Sequence, residues 1–296
     1  MSLDFIFDIP NVLVFLIIIT FFLAIAIIGF YIFTILTADS FSKSFIDQNT
    51  GTFLGAVAVA IALVIAFVIA NEYQTYNETS ENLTLEANTI YALIQTLTAI
   101  EEIPDAVTFA GAYLCSIPTE FSYMSQGELP PDNTCLNSLQ AIILDYDPIS
   151  VREQVLYSTA IEQLNLAITL RNSRLERTFS SLPAEFWYLI LSGFVAIIII
   201  MWFVNGSMLY KFFMISLVTV VFSGLIFLIF ILSNVFAGDF SLSYQSFTFV
   251  INQLGLDCNN SGTCFDPLAG VEESKLIKNK VKKCCYKVVK NKQKSN

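Results

Sequence analysis

The sequence predicts an all-α membrane protein with four transmembrane helices. Three observations carry the prediction. Four long apolar runs are free of charged residues, the chain is 55% hydrophobic with only 14% charged residues, and a 115-residue segment with helical periodicity separates the runs into two pairs. In this scheme spans two and three extend out of the bilayer as an antiparallel extramembrane helical pair. The expected organisation is a first transmembrane hairpin at 12–70, an extramembrane helical domain at 71–185 and a second transmembrane hairpin at 186–236. A juxtamembrane segment at 237–273 and a basic amphipathic tail at 274–296 follow.

The first run, Val12–Leu36, carries no charge and reaches roughly 37 Å as a helix, more than a hydrocarbon core of about 30 Å. Its leader holds Asp4 and Asp8 and no basic residue. It therefore reads as a retained span rather than a signal peptide, which needs a basic start and a shorter apolar stretch. The second run, Phe53–Ala70, is about 27 Å long, just enough to cross. Within it Ala58, Ala62, Ala66 and Ala70 recur every four residues. Such a small-residue ridge suits close helix packing, with a pore-lining face as the rarer use.

The third run, Phe186–Val204, begins after Pro183 and carries Trp187, Tyr188 and Trp202 near its ends, where aromatic rings meet headgroups. The fourth, Phe212–Phe236, follows a seven-residue link that allows only a tight antiparallel turn. Ser216, Thr219 and Ser223 form a hydroxyl stripe on it. The stripe is a candidate pore or helix-packing surface, and such hydroxyls more often bond a neighbouring helix or their own carbonyls. No span contains an ionisable residue, which argues against pumps and coupled transporters.

In the middle segment, Leu83, Ala87, Ile90, Ile94 and Leu97 keep helical spacing at one end, and Tyr157, Ile161, Leu164 and Ile168 do so at the other. Pro104, Pro118, Gly127 and Pro130-Pro131 break the stretch between them. Short helices are expected there at Asp105–Cys115 and Cys135–Tyr146. The segment holds sixteen acids against Arg152, Arg171, Arg174 and Arg177.

Charge is divided along the chain. Six basic residues stand against twenty-three acids before Val271, and nine against two from Val271 onward. The tail reads as a basic amphipathic helix with Lys275, Lys278, Lys282, Lys283 and Lys290, a lipid-surface contact for anionic headgroups. Cys284 and Cys285 within it are candidate lipidation sites. A disordered lysine-rich tail fits the same composition. The other four cysteines are disulfide candidates, with local pairs Cys115–Cys135 and Cys258–Cys264 expected from their spacing.

Sidedness cues conflict. The basic tail and Arg171, Arg174 and Arg177 place the bulky side in the cytosol. Disulfides, and the sequons at Asn77, Asn82 and Asn259, point to an oxidising compartment. The balance of these cues favours the cytosol.

No histidine is present, and no phosphate-binding loop, nucleophile elbow or paired-cysteine metal spacing occurs. No catalytic residue, metal site or cofactor is expected, and the chain is not expected to be an enzyme. The partners expected are the bilayer, anionic lipid and further copies of the chain, with no nucleic acid.

Four short motifs occur in a telling order: Leu85-Glu86-Ala87 after span two, Arg152-Glu153-Gln154 opening the second long helix, Leu182-Pro183 before span three, and Phe236-Ala237-Gly238 ending span four. Over about residues 8–256 this order resembles the bestrophin-like family of membrane proteins. Phe236-Ala237-Gly238 is similar to that family's Pro-Phe-x-Gly signature, with Val235 in place of the proline and Ser233-Asn234 in place of a charged pair. A histidine often found before span two is absent. Nothing tied to those residues carries over. The resemblance implies a distant likeness to bestrophins, which are oligomeric anion channels with long extramembrane helices. It makes an oligomeric small-ion channel the first functional expectation. The alternative is a membrane scaffold or sensor whose helical middle domain binds a partner or ligand.

Overall fold

The computed structural model describes residues 11–37, 49–131, 133–180, 182–202, 207–238, 240–258 and 264–265. The basic tail, with Lys275, Lys278, Lys282, Lys283, Lys290, Cys284 and Cys285, lies outside them. The described chain is all-α apart from one two-residue strand pair. Its helices are α1 (Asn11–Thr37), α2 (Asn49–Thr98), α3 (Pro104–Met124), α4 (Thr134–Asp145), α5 (Val151–Phe179), α6 (Ala184–Trp202), α7 (Met208–Ser233) and α8 (Gln245–Gln253). Strands β1 (Asp257–Cys258) and β2 (Cys264–Phe265) pair antiparallel, with Cys258 opposite Cys264. Four helical stretches are long and apolar enough to cross a membrane, as the four uncharged runs require. A helix satisfies every backbone polar group internally, which hydrocarbon demands.

The chain forms two compact units. The membrane unit comprises the described residues up to Asn77 with those of Ser180–Phe240. Its core joins α1 (Ala26, Phe30), α2 (Ile65, Val68), α6 (Ile190, Phe194) and α7 (Phe222, Ile226). Phe194 stacks on Phe222 with ring centroids 4.4 Å apart, and Phe22 meets Phe194 edge-on at 5.5 Å. With no charge to pair, these spans rest on shape. A methyl group built at Gly193 on α6 would stand 2.9 Å from side-chain carbons of Ile61 on α2, so glycine permits that approach.

Hydrogen bonds hold the facing ends of α6 and α7. The Ser207 hydroxyl accepts from the Tyr210 N–H at 3.3 Å, and Lys211 Nζ donates to the Trp202 carbonyl at 3.3 Å. After α7, Gly238 takes φ +80°, and a Cβ there would lie 3.2 Å from Asn11 Oδ1. The glycine of Phe236-Ala237-Gly238 is thus favoured by its backbone conformation, and the Asn11 side chain leaves little room beside it.

The second unit comprises Glu78–Phe179 and the described residues from Ser241 onward. Here α2 buries Leu83, Ala87, Ile90, Ile94 and Leu97, the stripe that the 3.6-residue period marks out. On α5 the buried positions are Ala160, Leu164, Ala167, Leu170 and Arg174; of the expected face Leu164 is buried, and Tyr157, Ile161 and Ile168 are half-buried beside it. The small Ala160 and Ala167 let α5 approach its neighbours, and Arg174 is admitted because its charge is paired. An ST-type capping box opens α5: Ser150 Oγ accepts from Glu153 N–H at 3.2 Å, and the Glu153 carboxylate accepts from Ser150 N–H at 3.3 Å and Ile149 N–H at 2.9 Å.

Three further expectations need correction. The helix expected at Asp105–Cys115 runs on through Pro118 to Met124. Pro118 removes one backbone donor, and the burial of Ile117, Phe121 and Met124 holds the turn regardless. Helices α5 and α6 are separate, with Ser180, Leu182 and Pro183 non-helical between them. Proline disfavours helical backbone at the residue before it, so span three has no continuous helical extension, whereas α2 does run on unbroken from span two. The disulfide joins Cys115 to Cys258, with Cα atoms 5.5 Å apart, so neither Cys115–Cys135 nor Cys258–Cys264 forms. Packing decides this: Leu256 lies over Gly111 on α3, which delivers Cys258 to Cys115, one turn further along that helix. Cys135 is buried.

Gly193→Leu is expected to destabilise the membrane unit by about 1–3 kcal/mol through overpacking against Ile61. Thermal unfolding in detergent measures it, and an unchanged midpoint would show that α2 and α6 do not meet there.

Candidate functional site, a buried ion cluster

The chemistry-bearing residues of the second unit converge on a closed cluster of four charges. Glu86 comes from α2, Glu120 from α3, and Arg171 and Arg174 from α5. The Arg174 side chain is 1% exposed, as is that of Glu86, and Glu120 is at 4%. Arg174 grips Glu86 with two parallel bonds, Nε to Oε2 at 2.9 Å and Nη2 to Oε1 at 3.0 Å. Its Nη2 also reaches Glu120 Oε2 at 2.9 Å. Arg171 donates to Glu120 Oε1 from Nη2 at 2.8 Å and from Nε at 3.1 Å. Bidentate guanidinium–carboxylate geometry is the strong form of ion pairing.

Neutral groups complete the cluster. Tyr113 Oη donates to Glu86 Oε1 at 2.9 Å. Asn133 Nδ2 donates to Glu120 Oε1 at 2.8 Å and to Ser116 Oγ at 2.9 Å. The same Asn133 caps α4 by accepting from Leu136 N–H at 3.2 Å, so one side chain starts a helix and closes the cluster. The Arg174 guanidinium is covered by aromatic rings, with Phe121 at 5.3 Å and Phe247 of α8 at 5.8 Å.

Two carboxylates face two guanidiniums, so the formal charges cancel. Burial alone would push the Glu120 carboxyl up. The guanidiniums of Arg174 and Arg171, with hydrogen bonds from Arg171 and Asn133, outweigh it and hold the group below its ordinary value of 4.5. Tyr113 moves the other way: burial, then Glu86 and Glu120, push its phenol well above the ordinary 10. It therefore stays a proton donor to Glu86 at any physiological pH. The arrangement is saturated and closed, and it positions helices rather than presenting a group to a ligand.

From sequence, Arg171 and Arg174 stand out in the charge balance of the middle segment and as sidedness cues, and Glu86 within a motif. A signal was present. Glu86 lies in the apolar stripe between Leu83 and Ala87–Ile90, and Arg174 follows Leu170 by four residues on the buried face of α5. Opposite charges on the apolar faces of two helices mark a buried pair.

The residues singled out from sequence are distributed differently. Thr219 and Ser223 on α7 are fully buried, and their hydroxyls donate to the carbonyls of Ile215 and Thr219, each at 2.7 Å. Ser216 is half-buried, and its Oγ has no hydrogen-bond partner among the described residues. No continuous hydroxyl-lined path results. Ala58 on α2 packs against the core of the membrane unit, while Ala62, Ala66 and Ala70 are exposed on the surface of that unit. Beside them Ala60, Ile61, Val64, Leu189, Gly193 and Ala196 line an apolar groove between α2 and α6. Of the motif residues, Glu86 anchors the ion cluster, Glu153 caps α5 and Gly238 turns the chain after α7. Among the described residues no group of three or more cysteine and carboxylate side chains is arranged to hold a metal.

Because the folded-state pKa of Glu120 is depressed, its stabilising contribution is fully present above about pH 4.5 and is lost as pH falls through the folded value. Unfolding followed in detergent from pH 7 down to pH 3 is expected to show this loss in the wild type and a shallower pH dependence in Glu120→Gln. Parallel profiles would contradict the paired state of Glu120.

A search of curated proteins and of solved structures finds no match to the chain. The bestrophin-like domain family matches residues 20–247, a stretch that takes in α2–α7, every member of the ion cluster and all four motifs. On that match the chain belongs to the bestrophin-like family.

Proposed function

We propose that the protein assembles into an oligomeric channel for small ions, with the conduction path between protomers rather than inside one. Family membership carries the reading, because bestrophins, which the family distantly resembles, are oligomeric anion channels. Two observations support where the path runs. The hydroxyls of Thr219 and Ser223 are buried and bonded within α7, so that stripe offers no aqueous lining. The small-residue face of α2, with Gly55, Ala62, Ala66 and Ala70, stands open on the protomer, where neighbouring copies would enclose a narrow passage. The reading assigns no catalytic role and no cofactor, and it keeps the lysine-rich tail as the contact with anionic headgroups.

The second unit has its own core and a disulfide, and this favours a second reading, a scaffold or sensor that binds a partner there. The same bond bears on sidedness. A Cys115–Cys258 disulfide forms and persists in an oxidising compartment, which supports an extracytoplasmic second unit against the cytosolic placement favoured by the basic residues. On that placement S-acylation of Cys284 and Cys285 drops out.

In proteoliposomes the chain is expected to support ion flux, and single variants Ala62→Cys and Ala66→Cys to lose most of that flux on treatment with a charged thiol reagent. An oligomer that stays tight to ions under several gradients, yet binds a partner, would favour the scaffold reading instead. For sidedness, a membrane-impermeant maleimide is expected to label Cys258 in intact cells only after reduction. Labelling that requires permeabilisation would place the second unit in the cytosol.

A further inference from the structure

We propose that the Cys115–Cys258 disulfide is a redox-operated clasp, whose reduction releases the α8 segment from α3 and uncovers the ion cluster. The proposal is independent of ion conduction. It rests on how unequally the parts of the second unit are held.

Helices α2, α3 and α5 are tied to one another by the buried charges and α4 is tied in through Asn133. Among the described residues, no hydrogen bond or ion pair joins the α8 segment to that network, which it meets through the Phe247 ring over Arg174. It is nine residues long, far too short to hold helical structure unaided. Its hydrogen bonds to α2, Gln253 to Tyr91 at 3.2 Å and Thr84 with Ser246 at 3.3 Å, are exposed to solvent. Its remaining anchors are apolar: Phe247 is fully buried against Phe121, and Leu256 lies over Gly111. Among the described residues the disulfide is the covalent tie, and it closes the far end of the segment onto α3.

The two sulfurs differ in access. Cys115 is buried in the middle of α3, whereas Cys258 is half-buried at the end of the segment. A dithiol reductant therefore approaches the bond from the Cys258 side, and attack falls on that sulfur. Its thiolate attacks that sulfur, the Cys115–Cys258 bond breaks, and Cys115 leaves as a thiolate that takes up a proton. The second thiol of the reductant attacks the mixed disulfide and expels Cys258, which is protonated in turn. Two electrons and two protons pass to the protein, and the dithiol becomes a disulfide.

The release matters because of what lies beneath. Phe247 and Phe121 cover the Arg174 guanidinium. Lifting α8 replaces one of those rings with water. In the higher dielectric the pairs Arg174–Glu86 and Arg174–Glu120 weaken, so a bond at the edge of the unit governs the firmness of its centre.

The test uses the full chain in detergent or lipid nanodiscs, dithiothreitol as the dithiol, peptide mapping and backbone hydrogen exchange. Oxidised protein is expected to give a Cys115–Cys258 cross-linked peptide. Reduction is expected to speed exchange in Gln245–Gln253 by at least about tenfold and to leave Thr134–Asp145 within about twofold. Cys258→Ser is expected to match the reduced protein and ignore dithiothreitol. Absence of the cross-linked peptide, unchanged exchange in α8, or equal loosening of α3, α4, α5 and α8 would overturn the proposal, the last by making the bond a general staple. Should Cys258→Ser not fold, the comparison of α8 with α4 in the reduced wild type decides alone.

Discussion

The second unit depends on one constraint: a guanidinium cannot be neutralised in a protein interior. Once Arg174 is buried on α5, its charge must be met by carboxylates and its donors by acceptors. Glu86 and Glu120 supply both, and they come from two other helices. Each must arrive in the right rotational setting, because a helix turned by one residue would carry its carboxylate away. The cluster therefore fixes the mutual register of α2, α3 and α5. Asn133 extends the constraint to α4 and Phe247 extends it to α8. Removing one partner from such a pair costs about 3–5 kcal/mol, a large share of the stability of any domain. The pair's net worth against an apolar replacement is smaller. Its value here is specification of one arrangement.

The membrane unit works on the opposite principle. Its described spans carry no charge within the bilayer, and lipid tails are as apolar as the side chains they meet, so burial of apolar surface does little to drive helix association. Close packing takes over, through the stacked Phe194 and Phe222 and the approach of Ile61 to Gly193. Much of α1 and of the apolar stretch of α2 remains exposed. For a soluble chain such exposure would be a liability. In a bilayer it leaves surface for lipid.

The membrane architecture was legible because hydrocarbon thickness imposes a length and a composition together, and four runs meet both. The α2 stripe was legible for a related reason: Leu83 through Leu97 keep one period without interruption. The cluster was harder to read. Glu86 and Arg174 each break an otherwise apolar face, and only three-dimensional pairing turns two local faults into one consistent feature. The α5 face is harder to locate because Ala160 and Ala167 mark it by their smallness, while the larger Tyr157, Ile161 and Ile168 beside them are half-buried. The disulfide is not legible in the spacing, because sequence proximity is a poor guide to sulfur proximity once helices pack. Cys115 finds a partner 143 residues away, brought there by Leu256 seated on Gly111. The hydroxyl stripe of α7 was visible in sequence, but its accessibility depends on neighbours that a period cannot show.

The most direct test of the account is a double-mutant cycle on Glu86 and Arg174, with Glu86→Gln, Arg174→Met and the pair of substitutions compared by unfolding in detergent. The account predicts a coupling energy of at least about 2 kcal/mol, because each single substitution strands a buried charge that the double substitution removes. A coupling within about 0.5 kcal/mol of zero would mean that the two side chains do not share a desolvated site, and the arrangement of the second unit around them would be contradicted.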